Sequence, residues 1–169
     1  LDNDASCFIS DSAPWYATSK MTPTVYSLCS TTYLIGGYGV LGSAAPPYNS
    51  GEYFYKSYIG LPDHNYIRFS FTIFALDSWD KINTDGMNHN DAFKVAFDGL
   101  TIYAQAYYSG SFTSLGNLCG ISTYSDMPNV HVFGYVPHQG STLTVKFISD
   151  LNEISTNESF GFRELILLF

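Results

Sequence analysis

Residues Tyr66–Asp80 read YIRFSFTIFALDSWD. Ile67, Phe69, Phe71 and Ile73 fall on one side of an extended backbone, and Arg68, Ser70 and Thr72 on the other. Successive side chains in a strand point to opposite faces, so this alternation predicts a half-buried β-strand. The run stops at Asp77-Ser78-Trp79-Asp80, where two carboxylates and an indole replace the apolar residues. A long core strand that delivers acidic groups into a loop organises the rest of the chain.

Further strand signals lie on either side of it. Upstream are Thr24–Cys29, Thr31–Ile35 and the aromatic run Tyr53–Ile59, the last two separated by a Gly-rich turn and the loop 43–52. Downstream, Phe93, Val95 and Phe97 alternate with polar or small residues, and Asp98-Gly99 is a tight-turn signal before Leu100–Tyr107. Residues 92–107 therefore read as a hairpin. A Gly/Ser/Asn-rich stretch, 109–129, precedes strands at Val130–Val136, Thr142–Phe147 and Phe160–Phe169. About nine short strands with turn signals between them and no amphipathic helix predict an all-β fold, an antiparallel β-sandwich of jelly-roll type. Residues 1–14 are acidic and Ser-rich and read as an N-terminal arm, with 15–169 as one sandwich domain.

Composition narrows the function. The chain has 169 residues, enough for one domain with a real core, and 17% of them are aromatic against 13% charged. A formal charge of −8, with seven Lys and Arg scattered singly, leaves no basic patch for nucleic acid. No apolar run approaches the roughly 20 residues of a membrane-spanning helix. The opening at Leu1 fits a mature secreted protein, as it fits a trimmed chain. Of three cysteines, Cys29 and Cys119 sit beside strand-like runs and are expected to pair, while Cys7 on the arm is free to bond another chain. Three reduced thiols are the alternative.

The chemical motifs are few. Gly37-Tyr38-Gly39-Val40-Leu41-Gly42 fits G-x-G-x-x-G, but Pro46-Pro47 follows where a helix would have to run, so the glycines read as a turn. The loop from Asp77 to Asp91 is crowded with oxygen donors, and Asp77, Asp80 and Asp85 are candidate calcium ligands, with Asp126, Asp150 and Glu164 able to approach from other loops. The alternative is a solvated loop in which Asp and Asn bond their own backbone. Asp77 with Asp80 is also the one carboxylate pair to consider for glycoside hydrolysis. His64, His89, His131 and His138 have no metal-binding spacing and read as isolated residues. Asn157-Glu158-Ser159 is an N-glycosylation sequon in a polar loop. Tyr103, Tyr107, Tyr108, Tyr124 and Trp79 could stack on sugar rings if exposed. The last strand, with Leu165, Ile166, Leu167, Leu168 and Phe169, is apolar on both faces, which suits a covered central strand or a surface that meets another molecule.

Four stretches taken in order, Tyr33–Gly39, Leu76–Asp80, Leu118–Gly120 and Glu158–Glu164, resemble a family of extracellular β-sandwich domains in secreted and surface proteins of ciliates and other protists. The resemblance implies a surface or structural role, without an established catalytic activity. The expectation is a secreted structural glycoprotein that assembles head-to-tail into a filament or coat. Phe8 and Ile9 of the arm would add to a neighbour's open sheet edge, and Leu165, Leu167 and Phe169 would pack between copies. Its partners would then be other copies of itself and attached or bound glycans, outside the cell. The alternative is a carbohydrate-binding, lectin-like module, calcium-dependent or not.

Overall fold

In the computed structural model, residues 15–17, 26–40, 42, 52–79, 91–107, 116–151 and 153–169 are described. They hold ten strands: β1 (Tyr16–Ala17), β2 (Tyr26–Cys29), β3 (Thr32–Gly36), β4 (Tyr53–Ile59), β5 (Tyr66–Asp77), β6 (Ala92–Phe97), β7 (Leu100–Ala106), β8 (Met127–Pro137), β9 (Thr142–Ser149) and β10 (Glu158–Leu168). There is no helix among the described residues. One sheet has the order β1-β4-β9-β6-β7 and the other β2-β3-β10-β5-β8, and every pairing is antiparallel. From β3 to β10 the chain changes sheet at every connection except the β6–β7 hairpin, which is the wrapping of a jelly roll. The arm with Cys7, Phe8 and Ile9, and the loop with Asp80, Asp85 and His89, lie outside the described residues.

The alternation in Tyr66–Asp77 does what its pattern dictates. Ile67, Phe69, Phe71 and Ile73 enter the space between the sheets, where Phe93, Val95, Val145 and Phe147 meet them from the other side. The centre is aromatic. The rings of Phe147 and Phe162 lie parallel with centroids 3.7 Å apart, and Phe71, Phe93 and Phe54 meet this pair or Phe160 edge-on or tilted. Such pairs add about 0.5–1.5 kcal/mol each beyond the area they bury. Trp15 closes the group edge-on to Phe147 and Phe162.

Two bulges move strand boundaries from where composition puts them. Pro128-Asn129 reads as loop, yet β8 begins at Met127, because Asn129 takes a left-handed φ of 59° and absorbs the register shift opposite Ile73–Ala75. β8 is a sheet edge, the one place where Pro128 and Pro137 leave no ladder bond unmade. In β10 the shift falls between Arg163 and Ile166, with Glu164 at φ 57°. Before it Phe160 and Phe162 face the core; after it Leu167 does. The bulge reverses the parity, so that Leu165, Leu167 and Phe169 pack on the core and the apolar Ile166 and Leu168 are left on the outer face.

Candidate functional site

Behind Phe69 and Phe71, the outer face of β10-β5-β8 should be polar by the alternation of β5 alone. Its neighbours make it otherwise. Pairing places Leu168, Arg68 and Tyr135 in one row across the three strands, and Ile166, Ser70 and Phe133 in the next. Tyr66 stands at the end, its ring edge-on to Tyr135 with centroids 6.1 Å apart. Phe133 and Tyr135 are 77% and 74% exposed, and Tyr66 and Ile166 are 55% and 41% exposed. An antiparallel sheet face that meets only water carries polar residues at such positions.

Two adjoining clefts run along this face. A cleft of about 560 Å³ lies between Tyr66, Arg68, Tyr135 and Leu168, with Asp63, His64, Asn65 and Phe169 at its end. A second, of about 320 Å³, continues past Ser70, Phe133 and Ile166, and shares Arg68, Tyr135 and Leu168 with the first. Between Phe133 and Tyr135, Gly134 stands opposite Phe69, and a Cβ there would come within 2.9 Å of the Phe69 ring on the core side of the sheet.

The end of the first cleft is polar and held. His64 Nε2 and His138 Nδ1 are 2.7 Å apart in rings inclined by only 6°, and His138 Nε2 is 3.0 Å from Asp98 Oδ2. Pro62 O, 2.6 Å from His64 Nδ1, can only accept, so His64 donates there; Asp98 likewise accepts from His138. These two histidines are therefore not isolated, as their spacing suggests, because the turns that carry them meet across the end of the sandwich. His131 lies apart, beside Thr72.

The acidic end of β5 has a different job. Asp77 sits at a left-handed φ of 68° and is 1% exposed. Its N–H donates to Asp126 Oδ1 at 2.9 Å, and its Oδ1 accepts the Ile121 N–H at 2.7 Å. Asp126 Oδ2 accepts from Leu118 and Cys119. The two carboxylates strap the segment 116–126 to the sheet, and Cys119 is bonded to Cys29 in the pairing the sequence favours. Burial pushes the Asp77 carboxyl up to about 6, against the lowering pull of the Ile121 hydrogen bond and with a smaller upward push from the Asp126 charge.

Among the described residues the one converging set of metal-ligating types is Cys29, Cys119 and Asp126, and its two sulfurs are joined to each other. Asp150 pairs instead with Lys94, and Glu164 accepts from Thr72. Neither approaches Asp77. Asp80 and Asp85, which complete the calcium set and the carboxylate pair, lie outside the described residues.

The aromatics put forward for stacking are also placed differently. Trp79 is 1% exposed and donates from Nε1 to Ser159 O, with Tyr107 packed on it. Tyr107 is buried, its hydroxyl 2.7 Å from that of Tyr103. Tyr124 is exposed, and Tyr108 lies outside the described residues. The platform residues Tyr66, Phe133 and Tyr135 went unnoticed because core aromatics look the same in sequence. The available signal was parity. In Val130–Val136 the valines share one side, which leaves Phe133 and Tyr135 on the other.

The remaining candidates are structural. Gly37, at φ 96°, turns the chain so that its N–H reaches Phe160 O, and a Cβ would meet Ser27 Oγ at 1.9 Å. Of the expected assembly residues, Leu167 lies in the core and Leu165 and Phe169 pack against it, so Ile166 and Leu168 are the ones that face outward. Asn157 is half-buried, accepting from Ser78 Oγ and donating to Glu153.

Fold and face together define an antiparallel jelly-roll sandwich with an aromatic cleft on one sheet. No protein-family model matches the chain, and no curated protein matches it by sequence. Among solved structures it is similar to dimeric latent PorU from Porphyromonas gingivalis, at 10% identity and a TM-score of 0.51, over 95% of this chain and 13% of that one. It is also similar to the C-terminal CBM6 of LamC, a marine laminarinase from Zobellia galactanivorans, at 10% identity and TM-score 0.41, over 88% of this chain and 91% of that one. The K3 adhesin domain of Lys-gingipain from Porphyromonas gingivalis matches at 7% identity and TM-score 0.44, over 90% of each chain. At such identities the likeness is one of fold.

Proposed function

We propose that this chain is a non-catalytic carbohydrate-binding domain that holds a glycan along the outer face of β10-β5-β8. The observation that carries the reading is the exposed platform of Tyr66, Phe133 and Tyr135 beside the polar end formed by Asp63, His64 and Asn65. A sugar ring has C–H faces that pack on aromatic rings and a rim of hydroxyls that needs hydrogen-bonding partners, and this cleft offers both. Its volume is that of an ordinary ligand site. The fold keeps the platform rigid, since each ring stands on a strand paired in a sheet. The disulfide supports a site of action in an oxidising, extracellular compartment.

Head-to-tail assembly finds less to rest on. Leu165, Leu167 and Phe169 are taken up by the chain's own core, and the β8 edge carries Pro128 and Pro137, which oppose strand addition there. A net charge of −8 also opposes stacking of like faces. A glycan array, run with and without chelator, tests the proposal by comparing the chain with its Tyr66→Ala/Tyr135→Ala variant. Binding that the variant loses at an unchanged melting temperature supports it. Equal binding by the two proteins, or none to any glycan, overturns it, and binding lost to chelator in both assigns the activity to a calcium site elsewhere.

A further inference from the structure

The inference rests on the carbohydrate reading and concerns which sugar the face takes. The described residues include five cations, and four have a partner within the fold. Lys94 pairs with Asp150, and Arg163 with Glu164 while lying over the Phe74 ring. Lys56 lies over the ring of Tyr58 and Lys146 over that of Tyr53. Arg68 alone, among the described residues, has no ion pair, hydrogen bond or ring of its own. It is exposed, and it stands in the middle of the cleft, in the one row that both cavities share, between Tyr135 and Leu168.

An unpaired guanidinium at the centre of an apolar trough is a preformed anchor for an anion. Its planar fork matches a carboxylate with two parallel hydrogen bonds, and the surrounding rings lower the local dielectric, which strengthens them. The protein's strong negative charge opposes a densely charged polyanion and is compatible with a chain bearing isolated charges. Asp63 at the far end of the cleft disfavours a second anionic group there and favours hydroxyls. We infer that the face selects a glycan carrying a uronic-acid residue, its carboxylate held by Arg68 while its ring lies against Tyr135 or Tyr66.

The test is calorimetric titration of the intact chain with a glucuronic-acid-containing oligosaccharide, with the same oligosaccharide after carboxyl reduction, and with a monosulfated neutral counterpart. The acidic sugar should bind at least tenfold more tightly than the other two. Arg68→Met should abolish that preference, and Arg68→Lys should keep part of it. The side chain is exposed, so the melting temperature should not move. Equal affinity for the acidic and reduced sugars overturns the role of Arg68 and leaves the carbohydrate reading standing. Equal affinity for the sulfated sugar overturns the choice of a carboxylate. Failure of all three to bind, at any salt concentration, sinks both readings.

Discussion

Asp77 and Asp126 grip one another's surroundings: the Asp77 N–H donates to Asp126 Oδ1 at 2.9 Å, and the buried Asp77 carboxyl faces the loop that Asp126 also holds. Two acids share one small, poorly hydrated space. Burial raises the Asp77 carboxyl from 3.8 to about 6, so the folded chain binds its proton more tightly than the unfolded one does. Asp77's contribution to stability is therefore fully present below pH 3.8 and is lost as pH rises through about 6. Asp77→Asn, which keeps an acceptor for Ile121 and tolerates the left-handed backbone, should flatten the urea midpoint across this window relative to the parent chain. An unchanged pH slope in the variant would falsify the assignment.

The Cys29–Cys119 bond closes a loop of 90 residues and ties the edge strand β2 to the segment that Asp126 holds. Constraint of the unfolded chain by so long a loop is worth about 4.6 kcal/mol, and loss of a native disulfide generally costs about 2–5 kcal/mol. The Cys29→Ser/Cys119→Ser variant should melt well below the parent, and reducing agent should lower the parent's melting temperature to the same level. A reduced parent that melts as the oxidised one does would show the bridge to be idle.

Phe162 is the ring against which Phe147 stacks, and it is fully buried. Phe162→Ala should cost about 3–5 kcal/mol in denaturant unfolding. Phe133→Ala, on the outer face of the same sandwich, should cost less than about 0.5. Similar losses from the two would mean that Phe133 is packed rather than presented.

If the chain is made in a secretory pathway, Asn157 should carry a glycan, since its sequon is intact and its half-buried side-chain amide bonds Ser78 and Glu153. Mass spectrometry before and after glycosidase treatment, with Asn157→Gln as the control, reads this directly. An unmodified Asn157 on secreted material would remove the glycoprotein expectation.

Fold and site were legible to different degrees. Alternation in Tyr66–Asp77, Phe93–Phe97 and Leu143–Phe147 announced half-buried strands, because period-two patterning is a direct consequence of one covered face. The Asp98-Gly99 turn was equally plain, with both residues at positive φ. Bulges were not: Asn129 and Glu164 look like loop or surface residues, and nothing local says that a left-handed step there lets a strand continue. Asp77 and Trp79 seemed exposed because they end an apolar run, whereas tertiary bonds to Ile121 and Ser159 draw them inward. The cleft was hidden for a similar reason. Arg68 reads as an ordinary solvent-side residue of β5 until Tyr135 and Leu168 arrive beside it from strands distant in sequence.

The measurement that bears most directly on the central claim is NMR titration of the isotope-labelled chain with the tightest-binding oligosaccharide from the array. The account predicts amide shifts concentrated at Tyr66–Ser70, Phe133–Tyr135 and Ile166–Phe169, with the rest of the sandwich unmoved. Shifts centred on the opposite sheet, or on the segment around Trp79 and Leu118, would contradict it.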